Sequence, residues 1–176
     1  MEKTNTIVVN IFAGPGVGKS TMASAVFTEL KYLGINCEIA PEYAKEKVWG
    51  DQLGMLNDQL YIFAKQQHRL WRLNGKVDVI ITDSPILFSI IYGNRMKQSF
   101  KTLVKEQHSL YNNLNFYLNR VNKYQSEGRL QDEFGARKLD DRILKLLQEI
   151  GEPFDKLDAS KKSVKLIVKK ILTRLK

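Results

Sequence analysis

Short apolar runs alternate along this chain with longer segments in which apolar residues recur every three or four positions. The short runs end at glycine, proline or polar positions and predict five strands: 6–13, 35–40, 77–82, 114–118 and 154–157. The longer segments predict helices: 19–33, 56–73, 139–150 and one that begins after Ser160 as its N-cap. Strands that alternate with helices in this way predict an α/β fold with a mostly parallel sheet and helices on both faces.

The composition fits a single folded domain over residues 1–176. The chain is 43% hydrophobic and 27% charged, which suits one hydrophobic core and excludes a disordered chain. Its strongly apolar runs break at Asn10 or Asp83, far short of the roughly 20 residues that span a bilayer. The polar N-terminus and a lone cysteine, Cys37, favour a reducing cytoplasm and no contact with a membrane.

The positive charge is concentrated near the C-terminus. Residues 156–176 hold eight basic residues and one acidic residue, which is +7 of the net +9. We favour a solvated face of the last helix as the explanation. The alternative is a contact surface for DNA or another polyanion.

Residues 13–21 join the first strand to the first helix and read Ala-Gly-Pro-Gly-Val-Gly-Lys-Ser-Thr. They match the phosphate-binding pattern G-x-x-x-x-G-K-[ST], with Ala13 in place of the first glycine. Inward-pointing N–H groups and a helix N-terminus bind phosphate in such a loop, so ATP and Mg²⁺ are the expected cofactors. Lys19 is expected to reach the β- and γ-phosphates, and Ser20 to bind Mg²⁺. The predicted nucleotide contacts are Gly14, Pro15, Gly16, Val17, Gly18, Lys19, Ser20 and Thr21.

Asp83 follows the third strand and is the second predicted metal residue, unless it merely caps the next turn. Motor ATPases usually place a glutamate next, to activate water, whereas this chain has Ser84. The guanine-reading motif N-K-x-D fails at Gln125. These features favour phosphoryl transfer to an acceptor other than water.

The chain resembles the P-loop nucleoside and nucleotide kinases of the thymidylate-kinase-like group over nearly its whole length. Segments 41–46, 57–70, 82–85 and 128–131 are most similar to small phage P-loop kinases, including enzymes that phosphorylate 5-hydroxymethyluracil in DNA. The resemblance implies a three-layer P-loop domain whose sheet has about five strands in the order 2-3-1-4-5. Members of the group usually carry an arginine after the third-strand aspartate, where this chain has Ser84.

Glu42 follows the second strand, so a parallel sheet places it at the same edge as the phosphate loop and Asp83. A carboxylate there suits a base that accepts or orients the acceptor's hydroxyl proton. The alternative is an acid favoured by the dipole of a helix N-terminus, and Glu46 is a substitute for the same role.

The resemblance also implies residues that read the acceptor and cover the site. Gln59, Phe63 and Gln66 share one helix face and are predicted to contact a pyrimidine base, although core packing would explain Phe63 as well. The basic segment 119–131 is predicted to be a lid. Its arginines, Arg120 and Arg129, are predicted to stabilise the transition state, and the alternative is solvated surface charge. The reserves are Arg137 and Arg142, and packing is the interpretation for Trp49 and Trp71.

The sequence therefore favours an ATP- and Mg²⁺-dependent kinase that acts on a small nucleoside, nucleotide or hydroxymethylated base. One alternative is the same chemistry on a base within DNA. The other is a nucleotide-binding regulatory ATPase with no small acceptor.

Overall fold

The computed structural model describes residues 4–93, 95–121 and 133–176. Within them, five strands form one parallel sheet in the order β2-β3-β1-β4-β5, as the sequence predicts. The strands are β1 (Ile7–Phe12), β2 (Cys37–Ala40), β3 (Val79–Thr82), β4 (Asn112–Asn119) and β5 (Phe154–Asp158).

Helices cover both faces of the sheet because the central strands are apolar on both sides. The helices are α1 (Lys19–Tyr32), α2 (Tyr43–Trp49), α3 (Gln59–Trp71), α4 (Phe88–Tyr92), α5 (Gln98–Ser109), α6 (Glu133–Ile150) and α7 (Lys161–Leu175). Alternate β1 residues such as Val9 pack with α1 and α7 in one core cluster. Their neighbours, such as Val8, pack with α3 to α6 in a second cluster.

Several boundaries differ from the predicted ones. β2 and β3 each begin two residues later than predicted, and β4 extends to Asn119, where the predicted lid was to begin. The predicted helix 56–73 is divided, because a 3₁₀ turn (Leu53–Asn57) precedes α3 and the Asp58 side chain caps α3 by accepting from Tyr61 N at 3.0 Å. α4 and α5 lie in a stretch for which no element was predicted. Ser160 does cap α7, since its hydroxyl accepts from Ser163 N.

None of the helices in the described part of the chain combines the length and the apolar character that a membrane span requires.

Candidate functional site

The phosphate-loop residues 14–21 occupy the turn from β1 into α1. Gly16 and Gly18 have φ angles of 79° and 109°, which glycine adopts without a Cβ penalty. These angles let the backbone curl at the N-terminus of α1, where N–H groups and the helix dipole favour an anion. Lys19 lies at the start of α1, and its Nζ donates to the Gly14 carbonyl at 3.1 Å. It also lies over the Phe88 ring, 5.7 Å from the centroid.

Ser20 and Asp83, the two predicted metal residues, are in direct contact. The Ser20 hydroxyl donates to Asp83 Oδ2 at 2.5 Å. Asp83 is only 6% exposed, and its Oδ1 has no hydrogen-bond partner among the described residues. Mg²⁺ prefers hydroxyl, carboxylate and phosphate oxygens. The pair therefore fits a Mg²⁺ ion that is also bound by nucleotide phosphate.

Glu42 lies beside this pair because of the strand register. Ala40 of β2 is paired with Thr82 of β3, so Glu42 and Asp83 both follow the ends of neighbouring parallel strands. Burial raises the pKa of Glu42, and Asp83 raises it further, whereas the Lys19 ammonium opposes the shift. Burial also lowers the pKa of Lys19, against the opposing effect of the nearby carboxylates. The three side chains thus form one charged cluster at the carboxyl edge of the sheet.

A cavity of about 540 Å³ opens next to the cluster and is lined in part by Ser20, Glu42 and Asp83. Lys45 and Trp49 of α2 also line it. Trp49 is 68% exposed, so the packing interpretation for this residue is wrong. An exposed indole at a cavity wall offers a flat surface on which a ring can stack.

The α3 residues that were predicted to read a base make internal contacts. Gln66 is 4% exposed. Its Oε1 accepts from Tyr43 N at 2.9 Å, and its Nε2 donates to the Pro41 carbonyl at 3.3 Å. Gln66 thus holds the backbone on both sides of Glu42.

The other two members of that face are similarly engaged. Phe63 is buried and meets Phe100 edge-on, with ring centroids 5.6 Å apart. Gln59 Nε2 donates to the Leu56 carbonyl at 2.5 Å. For Phe63 the structure matches core packing, the alternative that the sequence left open.

Arg120 lies against the phosphate loop and does not extend into solvent. Its Nη2 donates to the Pro15 carbonyl at 2.8 Å, and its Nε and Nη2 donate to Asp140 Oδ2 at 3.1 and 2.8 Å. Arg129 and most of the predicted lid lie outside the described residues.

The reserve arginines and Glu46 have other partners. Arg137 pairs with Glu133 one turn away, at 2.8 Å. Arg142 donates to the Ile91 carbonyl at 2.6 Å and thereby joins α6 to α4. Glu46 pairs with Arg69 at 2.7 Å. These contacts account for the three side chains without a role in phosphoryl transfer.

Asp140 belongs to the site and escaped the sequence reasoning. Its Oδ1 accepts from Gly14 N at 2.6 Å, while Oδ2 faces Arg120. The available signal was its spacing, because Asp140 lies one turn after buried Ala136 and shares the inner face of α6 with Ile143. A carboxylate on a buried helix face needs a partner.

The basic residues of α7 lie mainly on its outer face. Lys161, Lys162, Lys165 and Lys169 are exposed, whereas Lys170 forms an ion pair with Asp155 of β5. A larger cavity, of about 620 Å³, lies between α7 and the β4–β5 edge, and none of its described lining residues belongs to the phosphate loop.

Comparison with known proteins gives a family and a fold. A family model described as an AAA domain matches residues 8–163. The solved structure of a deoxyadenosine kinase from M. mycoides, with the products dCMP and a flexible dCDP bound, has a TM-score of 0.57 and 20% identity to this chain. The match covers 94% of this chain and 99% of the kinase chain, and at that identity it shows a shared fold. Among curated proteins, none matches this chain in sequence.

Proposed function

The chain belongs to the AAA domain family, and we propose that it is an ATP- and Mg²⁺-dependent kinase whose acceptor is a small nucleoside, nucleotide or hydroxymethyl-pyrimidine. The observation that carries the proposal is the meeting of a phosphate loop, a Ser20–Asp83 pair and a buried Glu42 at one cavity. A nucleotide switch needs the first two of these features. The carboxylate facing a cavity is what an acceptor hydroxyl requires.

The reaction follows from these positions. Lys19 and the loop N–H groups hold the β- and γ-phosphates, while Ser20 and Asp83 supply ligands for Mg²⁺. The bound Mg²⁺ neutralises phosphate charge. Glu42 takes the proton of the acceptor hydroxyl as that oxygen bonds to the γ-phosphorus. The bond from this phosphorus to the β–γ bridging oxygen breaks, and ADP leaves.

The charges around the cavity favour a hydroxyl acceptor over a phosphate acceptor. Among the described residues that line the cavity, three are carboxylates, those of Glu42, Glu46 and Asp83, against the single ammonium of Lys45. A nucleoside monophosphate would bring further negative charge to these carboxylates. The nucleoside is therefore the preferred substrate class, and the name of the M. mycoides enzyme supports it.

The test measures ADP formation with a panel of acceptors: nucleosides, nucleoside monophosphates, a DNA oligonucleotide that contains 5-hydroxymethyluracil, and no acceptor. We expect Mg²⁺-dependent ADP formation with at least one nucleoside, and its loss in a folded Lys19→Ala variant. ADP formation at the same rate without any acceptor would support the regulatory ATPase instead. Turnover of the oligonucleotide alone would support the DNA kinase.

A further inference from the structure

Helix α6 approaches the phosphate loop unusually closely at Gly14. A Cβ added to Gly14 would lie 2.8 Å from the Ala136 carbonyl oxygen and closer still to Asp140 Oδ1. The Gly14 N–H donates to that carboxylate oxygen at 2.6 Å. The requirement for glycine here thus comes from the contact with α6, because the backbone of Gly14 does not have a positive φ.

A single carboxylate connects three parts of the chain. Asp140 Oδ1 holds Gly14, and Oδ2 accepts two N–H bonds from Arg120 at the end of β4. Arg120 in turn donates to the carbonyl of Pro15, the next residue of the loop. The side chains of Arg120 and Asp140 are 8% and 15% exposed, so each charge depends on the other for compensation.

The same loop residue also contacts Lys19. Gly14 donates its N–H to Asp140 and accepts from Lys19 Nζ at its carbonyl, at 3.1 Å. The orientation of two successive peptide groups is thereby fixed on both sides. A loop held in this way has little freedom to lose when phosphate binds, which favours binding.

From these contacts we propose that Asp140 is a positioning residue for nucleotide binding, acting through Gly14 and Arg120 on the shape of the phosphate loop. The inference rests on the proposed function, since it assumes that the loop binds Mg·ATP. It assigns Arg120 to the loop and not to direct contact with the transferred phosphoryl group.

The test compares Asp140→Asn with Asp141→Asn. The amide introduced at position 140 would keep one acceptor oxygen and turn an N–H₂ group toward Gly14 N–H or Arg120, so one set of contacts is lost. Asp141 is the neighbouring acid on the same helix, and it controls for the loss of one negative charge. We expect the Kd for Mg·ADP to rise on the order of tenfold or more in Asp140→Asn, and to stay within about twofold in Asp141→Asn.

A split in the kinetic constants separates positioning from a general loss of structure. The KM for ATP should rise in Asp140→Asn while the KM for the acceptor stays unchanged. A double-mutant cycle with Arg120→Gln adds a second readout. If the two residues act as one unit, the double variant should bind Mg·ADP no more weakly than the weaker single variant. Additive losses would show that Arg120 contacts the nucleotide independently and would overturn the inference.

Failure of the inference and failure of the proposed function give different results. A wild-type protein that does not bind Mg·ADP would contradict the proposed function. A wild-type protein that binds it, together with an unchanged Kd in folded Asp140→Asn, would contradict the inference alone. Should Asp140→Asn not fold, Arg120→Lys serves instead, because it keeps the charge and loses part of the contact to Pro15 and Asp140. An unchanged Kd in that variant would likewise overturn the inference.

Discussion

Replacing Gln66 by leucine should lower catalysis through Glu42, although Gln66 itself lies outside the reacting cluster. The change removes the acceptor for Tyr43 N, a buried 2.9 Å hydrogen bond, and the donor to the Pro41 carbonyl at 3.3 Å. The Pro41 carbonyl keeps its second donor, Arg69 Nη1, at 3.0 Å. The main loss is therefore one unsatisfied buried N–H group, which costs about 1–3 kcal/mol.

Two measurements test this reasoning. Urea unfolding should show that loss of about 1–3 kcal/mol. Steady-state kinetics should show kcat reduced by up to roughly 10²-fold, with the KM for ATP little changed, because the backbone that carries Glu42 is no longer fixed. Gln67→Leu is the matched control, since Gln67 contacts Gln107 and Tyr111 and no part of α2 among the described residues.

The result that would refute the positioning role is specific. If Gln66→Leu keeps its stability and kcat but raises the KM for the acceptor, Gln66 reads the base, as the sequence first suggested. If neither stability nor kinetics changes, the two hydrogen bonds contribute nothing and the argument fails.

The remaining predictions concern Glu42, the cavity wall and the basic helix. Glu42→Gln should lower kcat by roughly 10²–10⁴ with ATP affinity nearly unchanged, and an equal loss of ATP affinity would place Glu42 among the metal ligands instead. Because Glu42 works as a base only when ionised and burial raises its pKa above the usual 4.5, activity should fall with decreasing pH in a limb above pH 4.5 that is absent from Glu42→Gln. Trp49→Ala should raise the KM of the acceptor while the exposed control Trp71→Ala leaves it unchanged, and equal effects would refute a role in stacking. Replacing the exposed lysines at 161, 162 and 165 by glutamine should leave turnover of a free nucleoside intact, whereas a DNA contact would flatten the log K against log salt slope by about 0.9 per phosphate.

The sheet and the phosphate loop could be predicted because their signals are local. A continuous apolar run such as Ile7–Phe12 fits a strand that is buried on both faces. The loop motif that follows it fixes the positions of Lys19 and Ser20. Parallel strands then bring the residues that follow β2 and β3 to one edge, which placed Glu42 beside Asp83 before any contact was known.

The partners of polar side chains could not be predicted, because they depend on distant parts of the chain. Asp140 binds Gly14, 126 positions away, and Gln66 binds Tyr43, 23 positions away. The sequence shows an amide on a helix face, but whether that amide meets a substrate or a backbone depends on where α2 begins. Trp49 was assigned to packing because an indole is usually buried, whereas the shortness of α2 leaves it at the cavity wall.

A buried asparagine gives a further example. Asn10 interrupts the apolar run of β1, and from the sequence it was only a break in that run. In the structure, Asn10 Nδ2 donates to Asn113 Oδ1 at 2.8 Å and to Asn115 Oδ1 at 3.0 Å, both on β4. The polar positions of two neighbouring strands thus compensate one another inside the sheet, which no pattern within one strand could reveal.

The most direct test of the account follows the fate of ATP labelled at its γ-phosphate, with saturating nucleoside and Mg²⁺. We predict that the wild-type protein transfers the label to the nucleoside, and that Glu42→Gln transfers roughly 10²–10⁴-fold less while binding Mg·ADP equally well. Release of the label as inorganic phosphate, at the same rate with and without nucleoside, would contradict the central claim that Glu42 serves an acceptor other than water.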